Sequence, residues 1–489
     1  MMMRFRSIGA WLEERAGIGQ ALAPVVSHPV PRRSASWWYV FGSATLALFA
    51  LQIATGICLA LVYVPAAGQA YPSLEYLNYE APFGWYLRAV HFWGSNAMVL
   101  VMTLHMIQVF LWGAHKYPRE LTWLVGVVLL LGTLGMAFTG QILRWDQDAY
   151  WGLGIGASIV SRAPVLGSVL VHVLLGGPII AGRTLSRFFA LHVFVIPGLL
   201  IALVSLHLWL VLRLGVNEWP LPGRVADRET YRRRYEDDVH RDGVPFFPVA
   251  ARKDMVAMAG VILATLGAAA VFGPSGPHGV PDPTLIDTAP QPDFYFLSLF
   301  ALFALLPPWT ETAILLLGPP LAIGLLLLVP FLAGTGEKSW RRRPVAVLSV
   351  LLIVLTVTTL AGLGISRPWS PVMDAWSAAP TPVGYVEGRS PLALQGALVL
   401  QNKQCRNCHS LGGEGGRRGP ALDGVATRRT RDQLIRQVLQ GSGNMPAYGK
   451  NLTPAEVDAV VAFMLTLRPA NQPAARSSVT PRPPDRVSP

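Results

Sequence analysis

Charge is what this 489-residue chain has least of: Asp, Glu, Lys and Arg together make up 14%, against 52% hydrophobic residues. A soluble globular chain carries about 25% charged residues. The deficit excludes an ordinary soluble protein and places the chain among polytopic membrane proteins. Cysteine is scarce too, with residues at 58, 405 and 408 only, which excludes a disulfide framework. Cys58 stands alone in an apolar segment and is expected to be a small core residue. The N-terminus MMMRFRSIGAWLEERAG has early arginines but no apolar core behind them. It therefore lacks the pattern of a secretory signal and is expected to form a short amphipathic helix lying on the membrane. Lys and Arg are missing altogether from 65–83 and 274–310.

What the chain has is long apolar runs. Seven approach or exceed the roughly 20 residues needed to cross a bilayer: about 38–64, 84–113, 121–142, 189–213, 254–273, 311–333 and 344–365. The stretch 163–181 is apolar but broken by Pro164, Gly167, Gly176, Gly177 and Pro178, and is expected to lie on the surface. The basic residues orient the runs. With the N-terminus inside, the inner loops are 114–120 (Lys116, Arg119), 214–253 (Arg232, Arg233, Arg234, Arg252, Lys253) and 334–343 (Lys338, Arg341, Arg342, Arg343). The two loops without Lys or Arg are then outside, as is everything after about 366. Loop 143–188, with four arginines, departs from the rule. The basic runs are read as orientation and lipid contact, which excludes a nucleic-acid partner.

Two pairs of histidines sit inside these runs: His91 and His105, 14 residues apart, and His192 and His207, 15 apart. Ionisable groups at membrane depth are expensive and mark function. At about 1.5 Å and 100° per residue each pair lies on roughly one helix face, about 21–22 Å apart. Two such helices running the same way hold two bis-histidine metal centres, one near each membrane surface, and neutral imidazole suits haem iron.

After the last run comes a Pro-rich linker, then a small helical module. Cys405-Arg406-Asn407-Cys408-His409 is a C-x-x-C-H, the attachment motif of a c-type haem. Both thiols would form thioethers and His409 would bind the iron. A zinc site would need further Cys or His nearby, and the sequence has none there. Met445, 36 residues on in GSGNMPAYG, is the candidate sixth ligand. The module resembles a small single-haem cytochrome c. Attachment of such a haem occurs outside the cytoplasm, in agreement with the loop charges.

Residues about 10–366 resemble the cytochrome b of quinol:cytochrome c oxidoreductases, the cytochrome bc complexes. The likeness is carried by WYLRAVH with His105, FTGQILRWDQDAYWG, TLSRFFALH with His207, GVPDPTLIDTAPQPDFYFL and RRPVAVLSVLLIVL. The 15-residue spacing and seven spans resemble the chloroplast type, in which two subunits make up what is continuous here. The resemblance implies an all-α fold: a seven-helix membrane bundle with a small extracytoplasmic cytochrome c domain. It implies two non-covalent b haems, an outer one on His91 and His192 and an inner one on His105 and His207, beside one covalent c haem. Gly42 and Gly56 match the family's haem-packing glycines, and Arg88 its haem-propionate partner. The position of the chloroplast type's extra haem-binding cysteine holds Val40, so no further covalent haem is expected in the membrane part.

The resemblance also implies two quinone sites. The family's P-E-W-Y motif reads here Pro292-Asp293-Phe294-Tyr295. Asp293 is the expected proton acceptor of an outer quinol-oxidising site, with Tyr295 beside it; a carboxylate between apolar walls has a raised pKa that suits proton transfer. The shorter acid is a feature of menaquinol users. Arg144 stands where relatives have proline, and His172 where they have an acid. Lys253-Asp254 match the basic–acidic pair of an inner quinone-reducing site, with Arg213 a further candidate there.

The expected organisation is 1–215, a di-haem four-helix part; 216–366, a three-helix part; 367–387, a linker; 388–470, a cytochrome c domain; and 471–489, a disordered tail. The expected function is the core of a quinol-oxidising, proton-translocating oxidoreductase in a bacterial inner membrane, passing electrons to a cytochrome acceptor. Its partners are expected to be a separate Rieske iron–sulfur protein, since no paired Cys/His motif of that kind occurs here, membrane lipid, and a second copy of the chain. The alternative is a di-haem membrane anchor that passes electrons between quinone and a dehydrogenase without bifurcation; it would have four or five spans and no P-E-W-Y-like loop.

Overall fold

The computed structural model describes the chain except residues 1–9, 18, 20–22, 24–25, 178–179, 283–291, 307, 367–379, 416–418, 442–444, 446–447, 450–451 and 470–489. Most of the expected linker and the whole expected tail lie outside the described residues. Seven helices are long and apolar enough to cross a membrane: α1 (Phe41–Ala60), α2 (Gly84–Leu111), α3 (Glu120–Leu143), α4 (Gly182–Leu214), α5 (Phe246–Phe272), α6 (Thr312–Leu332) and α7 (Pro344–Ile365). In hydrocarbon a helix satisfies its own backbone polar groups, so each apolar run becomes one. The chain is an all-α integral membrane protein. It divides into two compact units.

The first unit holds the spans. α1 packs on α2, α3 on α4, and α5 lies against both α1 and α2. Two short antiparallel ladders tie the loops: Pro29–Pro31 pairs with Gly243–Pro245, and Val225–Ala226 with Gly336–Glu337. Cys58 is not the core residue expected but is exposed on α1. Its small side chain fills no gap there.

The basic loop residues make specific contacts with helix ends. Lys116, Arg119 and Lys338 are buried. Lys116 Nζ donates to the carbonyls of Ala333 (2.5 Å) and Thr335 (2.6 Å), just past the end of α6. Arg343 donates to Phe110 O (2.9 Å) in the last turn of α2. Arg119 donates to Leu214 O (3.1 Å) and Gly215 O (3.2 Å) at the end of α4, and to the Tyr231 hydroxyl (2.8 Å). The last four carbonyls of a helix have no partner within it, and the negative pole of the helix dipole lies there. Three cations thus cap three different spans. Burial, then the charges of Arg343 and Lys338, lower the Lys116 ammonium to about 8. Lys338 Nζ donates to Asn217 Oδ1 (2.6 Å) and the Tyr231 hydroxyl (2.9 Å), with Glu218 3.4 Å away as counter-ion.

The second unit contains residues 146–184 and the C-terminal module. Asp146 caps the helix Gln147–Ser161, its Oδ1 accepting from Ala149 N at 2.9 Å. A second short helix, Gly167–Leu175, follows in the stretch expected to lie on the surface, and it exposes Val169, Leu170 and Val173. In the module, α8 (Pro391–Asn402), α9 (Arg431–Gln440) and α10 (Pro454–Thr466) surround a core that includes Leu400, Leu411, Val461, Phe463 and Leu467. Thr430 with Gln433, and Thr453 with Glu456, form capping boxes that start α9 and α10. α8 crosses α10 so closely that a Cβ on Gly396 would lie 1.9 Å from Ala459 O.

Arg119→Met would orphan the α4 carbonyls and strip Tyr231 of one donor. It is expected to cost about 3 kcal/mol and to lower the thermal unfolding midpoint in detergent well below that of an Arg15→Met control. Equal midpoints would remove the capping role.

Candidate metal centres

The four intramembrane histidines come together in the order their spacing requires. His91 of α2 faces His192 of α4 with ring centroids 6.3 Å apart. A metal–imidazole bond of about 2.0 Å on each side, added to the distance from nitrogen to ring centre, puts two opposed imidazoles about 6 Å apart. The fit to one metal ion held from both sides is therefore direct. His105 and His207 lie 14 and 15 residues further along the same two helices. The unequal spacing has a local cause: Leu191–Val195, the turn carrying His192, is a π turn. A π turn takes up one residue more than an α turn, so it absorbs the extra residue of α4.

Each histidine faces a glycine on a neighbouring helix. A Cβ on Gly42 would meet His105 Cε1 at 3.4 Å, and one on Gly56 would meet His91 Cε1 at 3.3 Å. On α3, a Cβ on Gly126 would meet His207 Cε1 at 3.7 Å, and one on Gly140 would meet His192 Cε1 at 2.8 Å. A side chain at Gly140 or Gly56 would crowd the ring it faces, whereas at Gly42 and Gly126 it would make ordinary contact. Gly126 and Gly140 were missed in the sequence reading, although their 14-residue spacing repeats that of Gly42 and Gly56.

Two threonines orient the upper pair of rings. Thr55 Oγ1 lies 2.8 Å from His91 Nδ1 and 2.7 Å from Leu51 O. Thr139 Oγ1 lies 3.0 Å from His192 Nδ1 and 2.8 Å from Gly135 O. A hydroxyl has one proton. Donated to the helix carbonyl, it leaves the oxygen to accept from Nδ1–H, and the Nε2 lone pair is free for a metal. Both threonines precede a cradle glycine, Thr55-Gly56 and Thr139-Gly140, a repeated dipeptide that could have disclosed them.

The remaining candidates fall into separate places. Arg88 is buried rather than on the surface. It donates to Asn78 Oδ1 (2.8 Å) and Gly276 O (2.6 Å), and to Ser275 O, one turn before His91. Asp254 accepts from the Ser43 hydroxyl at 2.8 Å, and Lys253 Nζ donates to Ala35 O at 2.6 Å. Ser43 adjoins Gly42, so this pair lies at the His105 level. Arg213 instead lies with its guanidinium 5.1 Å from the Trp209 ring centre. Asp293 starts the helix Phe294–Leu305, and its Oδ2 accepts from the Tyr295 hydroxyl at 2.6 Å. Burial, then the Asp293 carboxylate, push the Tyr295 phenol up, so it stays protonated as a donor. Arg144, at the end of α3, contributes a weaker opposing charge. Phe294 is exposed, and Phe296 packs edge-on against Phe138 of α3 at 6.4 Å. His172 is exposed, its Nδ1 donating to Ser168 O at 2.8 Å.

In the C-terminal module His409 Nδ1 donates to Pro420 O at 2.7 Å, which leaves Nε2 as the ligand atom. A Cβ on Gly419 would lie 2.4 Å from His409 Cε1, another cradle. Burial lowers the His409 pKa, keeping the ring neutral. Cys405 is enclosed, and burial, then Cys408, push its thiol up to about 12. Met445 packs against the module core with Gln437 Nε2 3.3 Å from its sulfur.

Known proteins share both parts. The family described as cytochrome b/b6/petB matches residues 25–215, and the family described as cytochrome c oxidase, cbb3-type, subunit III matches residues 392–464. Cytochrome b of Allochromatium vinosum is 31% identical over 370 residues, 73% of this chain and 87% of that protein. Cytochrome b6 of Synechococcus elongatus is 39% identical over 207 residues, 42% of this chain and 96% of that one. A solved structure titled hyperthermophilic respiratory Complex III has a TM-score of 0.62 at 28% identity, covering 73% of this chain and 91% of that chain.

Gly140→Val would fill the cradle beside His192. It is expected to abolish about half of the non-covalent haem in a pyridine haemochrome assay, whereas Gly260→Val, whose Cβ meets nothing within 4 Å, leaves it intact. Full haem content in the Gly140 variant would sink the cradle reading.

Proposed function

The chain belongs to the cytochrome b family, and from that premise we propose that it is the core subunit of a quinol:cytochrome c oxidoreductase with its cytochrome c domain fused on. The observation that carries this is the matched set of four histidines, each facing a glycine on a neighbouring span, with two of them oriented by threonine. His91 and His192 would hold one b haem and His105 and His207 the other, with Arg88 near the first. His409 and Met445 would ligate a c haem joined through Cys405 and Cys408. Bound haem supplies one-electron redox chemistry, and the rest is the work of this chain's own side chains.

Oxidising a quinol removes two protons and two electrons. At the outer site Asp293 takes a quinol proton, and Tyr295, donating to the same carboxylate, holds it in place. A carboxylate is suited to accept from a hydroxyl once water is excluded. At the inner site Lys253, Asp254 and Ser43 supply protons to a reduced quinone. The loop charges support an N-terminus in the cytoplasm and a cytochrome c domain on the other side of the membrane, read as a bacterial inner membrane. One electron of each quinol would leave through a separate Rieske iron–sulfur protein, and the working form would be a homodimer. The seven spans and the Asp293–Tyr295 pair speak against the simpler di-haem anchor.

The test is redox titration of the purified complex with a haem assay. Two non-covalent b haems and one covalent c haem are expected, and a single b haem overturns the assignment. Separately, Asp293→Asn is expected to slow quinol oxidation at least about tenfold, within the range for a lost general base, with haem content unchanged. Undiminished turnover would remove Asp293 from the proton path.

A further inference from the structure

The two pairs of intramembrane histidines share one plan and depart from it at one position. On α1 and again on α3 a glycine stands against a ring at each level: Gly56 and Gly140 against His91 and His192, Gly42 and Gly126 against His105 and His207. A backbone carbonyl also lies near one ring of each pair, that of Met136 by His192 and that of Thr122 by His207. Met136 and Thr122 each stand four residues before the glycine of their level, so this contribution is common to both. The levels differ at the residue just before the glycine. It is Thr55 and Thr139 at the first level, but Phe41 and Val125 at the second.

The consequence falls on Nδ1. His91 Nδ1 lies 2.8 Å from Thr55 Oγ1, and His192 Nδ1 3.0 Å from Thr139 Oγ1. Both hydroxyls donate their own proton to a helix carbonyl, so each accepts from the imidazole N–H. His105 Nδ1 and His207 Nδ1 are enclosed and have no hydrogen-bond partner among the described residues. The side chains of Phe41 and Val125 have no polar atom to offer them. An acceptor on Nδ1–H draws the proton away from the ring and makes Nε2 a more basic ligand atom. A more basic ligand favours the oxidised, more positive iron, and hydrogen bonding behind the ligand is one lever by which a protein sets a haem potential.

We propose that Thr55 and Thr139 are positioning residues that lower the reduction potential of the haem held by His91 and His192 relative to that held by His105 and His207. This rests on the reading of the two pairs as b-haem sites. An electron entering at the first pair then moves downhill to the second. The direction comes from two hydroxyls, one on α1 and one on α3, and not from any difference in the ligands themselves.

The experiment is potentiometric titration of the purified, haem-loaded complex, followed in the absorption bands of the b haems. In Thr55→Val/Thr139→Val one b haem is expected to become easier to reduce by about tenfold in its equilibrium constant, about 59 mV for one electron, while the other keeps its potential. Each single variant is expected to give part of that shift, and Thr55→Ser, which keeps the hydroxyl, none. Where the double variant does not retain both haems, Val125→Thr decides: it supplies a hydroxyl at the other level and is expected to make the other haem several-fold harder to reduce. Unmoved potentials with both b haems present, or a shift in Thr55→Ser as large as in Thr55→Val, overturn the proposal. A haemochrome count below two b haems in the unaltered complex overturns the haem reading instead.

Discussion

A polar group at membrane depth has no water to turn to, and this constraint organises the whole bundle. An imidazole is costly there unless its nitrogens find partners. At His91 and His192 a threonine hydroxyl takes one nitrogen and the other is left free to bind a metal. The threonine can do this because its own proton goes back to a carbonyl of its helix. Glycine beside each threonine then supplies the space. One dipeptide therefore sets both the tautomer and the clearance, on α1 and again on α3, so that the two helix pairs are chemically equivalent halves of one site.

The same constraint explains the helix ends. Carbonyls that a span cannot satisfy internally are met by Lys116, Arg119 and Arg343, each reaching from a loop to the end of a different helix. The loop charges thus serve as caps. The burial of Lys116 and Arg119 is tolerable because carbonyls surround them, and that of Lys338 because Glu218 offsets it. An isolated buried cation would cost several kcal/mol.

Much of the fold was legible beforehand. The seven apolar runs became seven helices, two of them starting seven or eight residues earlier than expected, since in hydrocarbon no other regular structure closes its own hydrogen bonds in a single segment. The basic loops were read as lipid contacts, which missed their burial: composition shows that a loop is positive, not which carbonyl its side chains reach. Cys58 was expected inside and is exposed, because an all-apolar helix gives no periodic signal for which face meets neighbours and which meets lipid.

By itself the sequence determined the spans, the histidine spacings, the C-x-x-C-H module and the acidic Asp293 motif, because each is encoded in neighbouring or regularly spaced residues along one chain. Only the tertiary structure decided that Gly126 and Gly140 stand against His207 and His192, that Asp254 pairs with Ser43 while Arg213 stands over Trp209, and that a π turn reconciles a spacing of 15 with one of 14. Those relations join residues on different helices or depend on how a helix winds. Their geometry is set by packing between segments, which no periodicity within a single segment records.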